Sequence, residues 1–275
     1  MKIDGVKISQ EILENLKVKV DDLKDKKVTP HLYIITFGDN PQTQSYLNQK
    51  LLRAKQIGAK ITIKKFNVNV SPKTVYNLIE ELNKDKKVHG IIVQRPLPKQ
   101  LDEEKVSMAV ALPKDVDGLH PHSPFFSPVA LAVIKLTEST LSSQDIKEYL
   151  RSKKIVLIGK GTTAGKPIIN LFERLKIKTK IVDSKTKDKK KIIKSADIIV
   201  SSVGKKIIGK DDIKRNSILI GVGMHIADGK LKGDYSAEEI EEKASFYSPT
   251  PGGVGPVNVT MLMKNLVDAT QKQSS

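Results

Sequence analysis

Tyr46 and Lys50 stand four residues apart in a stretch, 43–57, whose spacing predicts a helix, so their side chains share one face. A lysine near a positive charge is pushed toward its neutral form, which can accept a proton. The same spacing also occurs in ordinary surface pairs. Gln94 closes the apolar run Gly90–Val93, at the carboxyl edge where open α/β sheets bind ligands. Its plainer reading is a polar residue where a strand enters a loop. Lys114-Asp115-Val116-Asp117-Gly118 puts two carboxylates in one loop. Metal binding and a turn at Asp117-Gly118 are both open to such a segment; the turn is favoured, and no metal is expected. Late in the chain, Pro249–Pro256 (PTPGGVGP) sets Gly252, Gly253 and Gly255 among prolines. Such a rigid loop lets backbone approach a ligand closely and is expected to join neither helix nor strand; a structural turn is the alternative.

A second set of residues suits phosphate. The run Ile155–Ile158 reads as a buried parallel strand that breaks at Gly159-Lys160-Gly161. A helix then resumes at Gly165, with Pro167 in its first turn and Ile168, Ile169, Leu171, Phe172 and Leu175 on its apolar positions. Free N–H groups and a positive helix end would converge there, a natural seat for a pyrophosphate. The spacing is Gly-x-Gly-x-x-x-Gly, so the motif alone also fits an ordinary strand–turn–helix unit. Strands follow at 180–182, ending in Asp183, and at 196–201, ending near Gly204. Asp183 suits a ribose 2′-hydroxyl and would repel a 2′-phosphate, whereas Lys160, Ser184, Lys185 and Lys187 could neutralise that phosphate. On these residues alone NADP and NAD both stay open.

The elements that position these groups alternate. A helix over 9–24 precedes strands at 31–36, 60–66 and 88–93, which are separated by helices at 43–57 and 72–82. That βαβαβ order predicts an α/β fold with a parallel sheet. Residues 95–128 are rich in Pro, His and Ser apart from a short helix near 102–111, and the domain junction is placed there. A Rossmann-like half is expected over roughly 140–248, and a last amphipathic helix over 257–269.

The chain has 275 residues, enough for two cored domains, and a formal charge of +17 that admits nucleic acid as a rival partner. Its basic residues are mostly scattered lysines and only 4% of residues are aromatic, leaving few rings for base stacking. A solvated lysine surface that attracts small polyanions is the simpler account. No stretch approaches the ~20 apolar residues of a membrane span. The first residues lack a signal-peptide core, and cysteine is absent, which excludes disulfides and thiolate chemistry. A soluble intracellular protein is expected.

In combination and order, GDNPQTQSYLNQK (38–50), GIIVQRPLP (90–98), PKDVDGLHP (113–121), IGKGTTAGKP (158–167), ADIIVSSVG (196–204) and SPTPGGVGPVNVTML (248–262) resemble the bifunctional methylenetetrahydrofolate dehydrogenase/methenyltetrahydrofolate cyclohydrolase family. The resemblance implies a three-layer α/β folate domain (1–121 with 257–275), a Rossmann-type NAD(P)-binding domain (122–256) and an active-site cleft between them. It implies a catalytic group of Lys50, Tyr46, Gln94 and Asp117: Lys50 as the catalytic lysine, Gln94 tuning it, Tyr46 lining the folate pocket and Asp117 holding the pterin. Val93, Arg95, Pro251, Gly252, Gly253, Val254 and Gly255 would complete the substrate site. Gly159, Lys160, Gly161, Gly165, Ser184 and Met224 would hold the cofactor, for which NADP is favoured, with NAD kept open by Asp183. A cytoplasmic homodimer of one-carbon metabolism and purine biosynthesis is implied, with tetrahydrofolate as its small-molecule partner and without membrane or nucleic acid.

Three departures accompany the likeness. Arg95 follows Gln94 where the family has leucine, the loop before Ser127 is shorter, and Gly221 stands where an acidic residue is usual. The short loop is expected to weaken the hydride step more than the hydrolysis. A member with one activity, or a basic nucleic-acid-binding protein on a degenerate fold, are the alternatives.

Overall fold

The computed structural model describes residues 1–274. The chain divides into two compact units, Glu11–Pro128 with the segment from Val259 onward, and Met1–Gln10 with Val129–Asn258.

The unit built on Glu11–Pro128 uses α1 (Gly5–Asp25), β1 (His31–Phe37), α2 (Pro41–Ile57), β2 (Lys60–Phe66), α3 (Pro72–Lys84), β3 (Gly90–Val93) and α4 (Glu103–Ala109). β1 pairs in parallel with both β2 and β3 and lies between them. Strand alternation then sorts its apolar side chains into two layers. Leu32 and Ile34 pack with Leu16 and Val20 of α1 and Leu47 and Ile57 of α2. Ile35 and Phe37 point the other way, into Val75 and Ile79 of α3 and Val106 of α4. Helices thus cover both faces of the three-stranded sheet, each fully buried Ile or Leu contributing about 1.5–3 kcal/mol. α3 starts where Pro72 follows Ser71, whose Oγ accepts from Thr74 N at 3.2 Å.

The other unit uses α5 (Pro128–Glu138), α6 (Ile146–Ser152), β4 (Ile155–Ile158), α7 (Gly165–Arg174), β5 (Thr179–Val182), α8 (Lys189–Lys194), β6 (Ile198–Ser201), β7 (Ser217–Gly221), β8 (Met224–Ala227), β9 (Lys230–Gly233), α9 (Ala237–Ile240), β10 (Ala244–Tyr247) and α10 (Val254–Gln273). Its parallel sheet runs β10-β7-β6-β4-β5. β5 lies on one side of β4 and β6 on the other, so the winding reverses at β4, and ligands bind at the carboxyl ends of strands around such a point. β8 and β9 form a separate antiparallel hairpin. At the far edge the N-terminal residues extend the sheet, Ile3 N donating to Tyr247 O at 2.8 Å and Tyr247 N to Met1 O at 3.0 Å.

Several elements differ from the sequence expectation. α5 (PVALAVIKLTE) is apolar on nearly every side, so it carries little helical periodicity to read. α6 is short, although its start is marked by Asp145, which accepts from Lys147 N and Glu148 N at 2.9 Å. The expectation of a loop running to Pro256 is corrected. α10 begins at Val254, so Val254, Gly255 and Pro256 form its first turn, where a proline lacks no needed hydrogen bond. From Val259 onward α10 belongs with the first unit. Leu262, Met263 and Leu266 join Leu32 and Ile34, and Asn265 Nδ2 donates to Val116 O and Phe126 O, each at 2.9 Å. Among the described residues no helix is long and apolar enough to cross a membrane.

Candidate active site

α2 carries Tyr46 and Lys50 toward the carboxyl end of β3. Gln94, the residue after β3, is held in line because its N–H continues the ladder to Ile35 O at 2.8 Å. Lys50 Nζ donates to Gln94 Oε1 at 2.6 Å, while Gln94 Nε2 donates to Arg95 O at 3.0 Å. The second bond fixes which end of the amide faces the lysine. Lys50 is half-buried, and desolvation lowers its pKa from the ordinary lysine range, partly offset by the Asp117 carboxylate. Tyr46 remains 38% exposed, so its ring is available to a ligand, and desolvation raises its pKa.

Asp117 sits on a braced loop. Asp115 accepts from His120 N at 2.9 Å and Leu119 N at 3.3 Å, and Ser123 Oγ donates to Asp115 O at 3.2 Å. Gly118 turns the chain at φ +64°, and a side chain there would strike Phe126 C at 2.6 Å. Lys114 is spent on structure, donating to Leu82 O at 2.7 Å and Asp85 O at 2.6 Å. Asp117 is left to face Lys50 and Arg95, and burial raises its pKa against the pull of those two cations. Arg95 Nη2 in turn pairs with Glu103 Oε2 at 3.5 Å. Val93 is buried in the strand that ends at this corner. The structure therefore brings together Lys50, Gln94 and Asp117, with Tyr46 and Arg95 alongside.

The remaining candidates lie in the other unit. The turn after β4 needs glycine at two points. Gly159 has φ +92° with its missing Cβ facing Ser202 O at 3.0 Å, and a Cβ on Gly165 would fall 2.5 Å from Gly159 O. At Gly161 a Cβ would meet nothing within 4 Å, so the turn opens onto free space in front of the α7 N-terminus. That geometry fits a pyrophosphate. Lys160 Nζ pairs with Asp183 Oδ2 at 2.8 Å at the ends of β4 and β5. The hydrogen bond from Lys160, with others from Thr186 Oγ1 and Lys185 N, pulls the Asp183 pKa down to about 2. Ser184 is exposed beside this pair, and Met224 opens β8 with its carbonyl near Gly204. The loop bearing Pro251, Gly252 and Gly253 leads into α10 and belongs to this unit, as do Val254 and Gly255.

Sequence reasoning missed Asp234. This fully buried carboxylate accepts from Ser201 Oγ at 2.5 Å, Val203 N at 2.9 Å, Gly204 N at 2.7 Å and Lys205 N at 3.1 Å. It fixes the loop after β6, beside the glycine turn after β4. Its only local signal is an acid directly after a hairpin, which does not reveal a partner loop thirty residues earlier.

A desolvated lysine held against a glutamine in one α/β unit and a phosphate-ready glycine turn in the other fit a two-domain enzyme that works with a dinucleotide. The comparisons with known proteins make this specific. The family model "Tetrahydrofolate dehydrogenase/cyclohydrolase, catalytic domain" matches residues 3–117, and the NAD(P)-binding domain model of the same family matches residues 127–274. The chain belongs to the tetrahydrofolate dehydrogenase/cyclohydrolase family. "Bifunctional protein FolD" of Oceanobacillus iheyensis is 37% identical over 98% of this chain and 96% of its own. The FolD crystal structure from Campylobacter jejuni superposes with TM-score 0.92 at 32% identity, covering 99% of each chain. The Trypanosoma brucei FolD structure, complexed with NADP cofactor and inhibitor, gives TM-score 0.91 at 27% identity over 100% of this chain and 98% of that one.

Proposed function

We propose that this chain oxidises 5,10-methylenetetrahydrofolate to 5,10-methenyltetrahydrofolate with NADP and hydrolyses the product to 10-formyltetrahydrofolate. The observation that carries the reading is Lys50 Nζ held 2.6 Å from Gln94 Oε1, with its pKa lowered by burial. Both activities of the family find a use for that group.

When bound, the nicotinamide supplies a hydride acceptor for the methylene carbon. No proton leaves in that step, because the flanking nitrogens stabilise the cationic carbon that remains. The chain's contribution is positioning, which can supply several kcal/mol of a barrier. Tyr46 offers a ring face to the folate, and Asp117 offers a carboxylate to the pterin edge. The backbone of Pro251–Gly253, with Val254 and Gly255 at the start of α10, is read as substrate-binding from the family resemblance. Gly159, Lys160, Gly161 and Gly165 would hold the dinucleotide phosphates, with Ser184 and Lys160 toward the ribose and Met224 nearer the ring.

Hydrolysis asks more of Lys50. Water adds to the cationic methenyl carbon and loses a proton, which neutral Lys50 accepts. The carbon–N5 bond then breaks as N5 takes the proton held by Lys50 and the new hydroxyl releases its own to solvent, leaving the formyl group on N10. A lysine of ordinary basicity would stay charged near neutrality, so burial and the approaching cation both help. Gln94 orients the amine and, by its fixed amide, presents only an acceptor to it.

Lys160 and exposed Ser184 favour NADP over NAD; Asp183, already paired with Lys160, is the feature that keeps NAD in play. The functional domains are read as 1–121 with 257–275 and 122–256, and the working form as a cytoplasmic homodimer without nucleic-acid or membrane partners. The test is direct. Purified protein should reduce NADP only when methylenetetrahydrofolate is present, and 10-formyltetrahydrofolate should accumulate afterwards. A protein that does neither overturns the reading; sedimentation velocity decides the dimer.

A further inference from the structure

We propose that Tyr235 is a positioning residue for the loop 248–253, setting where that loop's backbone meets the folate substrate. The inference rests on the substrate-binding role proposed above for this loop.

Gly221 ends β7, and the space over it is filled. A Cβ at Gly221 would lie 3.0 Å from Tyr235 Cε1 and 3.2 Å from both Cζ and the hydroxyl oxygen. The phenol thus occupies the place a side chain at 221 would take. Its hydroxyl donates to Ser248 O at 2.6 Å, with Leu219 O a second acceptor at 3.1 Å. Ser248 Oγ lies 3.2 Å from the same phenol oxygen and accepts from Gly221 N at 2.8 Å. The carbonyl and hydroxyl of Ser248, a residue with no exposed surface, are therefore tied to one point at the root of the loop.

Two residues on, the loop is packed as tightly. A Cβ at Gly233 would come within 2.7 Å of Thr250 Oγ1. Gly233 and Tyr235 flank Asp234, which holds the loop after β6 through Val203, Gly204 and Lys205. Three consecutive residues thus brace two loops, the one after β6 beside the glycine turn and the one proposed to meet the folate. Burial pushes the Tyr235 pKa far above the ordinary tyrosine value, so the hydroxyl stays a donor across the working range. A tyrosine that only filled core space would not need its hydroxyl.

Tyr235→Phe keeps the ring over Gly221 and removes the hydroxyl. Hydrogen exchange on peptides covering 248–253 should speed up about tenfold, the size expected for losing one buried hydrogen bond. Peptides from β4 and β6 should exchange as in the parent. The folate KM should rise and kcat/KM fall about tenfold, while the Kd of NADPH, read from its own fluorescence without folate, should move less than twofold. Gly221→Ala pushes the ring instead of trimming it, and should give the same split between folate and cofactor. Unchanged loop exchange and folate KM in Tyr235→Phe would overturn the proposal. So would a parallel loss of sheet protection and NADPH affinity, because the phenol would then be a general support. A parent protein without folate turnover defeats the functional reading alone, and the exchange comparison still decides the role of Tyr235.

Discussion

Two lysine–carboxylate pairs in this chain behave in opposite ways. Lys50 and Asp117 interact at the half-buried corner beside β3, where burial lowers the lysine pKa and raises that of the carboxylate. Lys160 and Asp183 meet near the surface at the ends of β4 and β5, where direct hydrogen bonds pull the Asp183 pKa down to about 2. The residue types are the same, and the difference is solvent. Out of water, charge is costly and both partners lean toward their neutral forms; near water, pairing dominates and holds the carboxylate ionised. The first environment suits moving protons, the second suits holding a charged ligand.

The strongest break is Lys50→Gln, which should cut cyclohydrolase kcat by about 10²–10⁴-fold, the usual worth of general acid–base help. The dehydrogenase should fall far less, since hydride transfer needs no base there. Lys50→Arg keeps a positive charge that cannot be shed near neutrality, and should fail at hydrolysis too. Hydrolysis by Lys50→Gln well above the uncatalysed rate would remove Lys50 from the chemistry. Adding Gln94→Ala to Lys50→Gln should change little more, because the two act as a unit.

Next in size is the surface pair. Asp183→Asn frees Lys160 for a 2′-phosphate and removes a like charge, so NADP should bind ~5-fold more tightly, with NAD weakened, as an exposed ion pair is worth at most about 1 kcal/mol. Fluorescence titration with NADPH and NADH reads this directly. If both cofactors respond alike, Asp183 plays no part in discrimination.

The pH dependence sharpens the contrast. Because the Lys50 pKa lies below its ordinary 10.5, the neutral base becomes populated at lower pH than in free lysine. Cyclohydrolase kcat should therefore rise with pH and level off with a midpoint below 10.5. Lys160→Ala should leave that midpoint in place. A midpoint at the free-lysine value would show that burial does not tune Lys50.

The smallest effect concerns stability at the amino-terminal ends of β1 and β3. His31 N donates to His89 Nδ1 at 3.2 Å, and desolvation lowers the pKa of both rings from 6.5. The folded state prefers both neutral, so this stabilisation is complete above pH 6.5 and is lost as pH falls through the lowered folded values. His89→Gln should be insensitive to that change, narrowing the fall in Tm between pH 7 and 5 by ~2–4 °C. Calorimetry on the two proteins at both pH values measures it.

What the amino-acid sequence determined by itself was everything carried by short-range spacing. Tyr46 and Lys50 share a helix face because a turn takes 3.6 residues, and Gln94 ends a strand because the apolar run stops there. The glycine turn before α7 was legible for the same reason, as was the alternation that made both sheets parallel. Tertiary structure decided what depends on distant neighbours. Gln94 meets Lys50 across 44 positions of chain, and the solvent that Lys50 has lost, invisible in its own segment, sets the direction of its pKa. Asp234 and Tyr235 acquire their roles only because the hairpin's end is folded against Ser201, Gly221 and Ser248. α10 could begin at Val254, inside a run of glycine and proline, because a first helical turn needs no hydrogen bond from Pro256. Local chemistry is written in neighbouring residues, whereas desolvation and long-range hydrogen bonds exist only once the chain has closed around them.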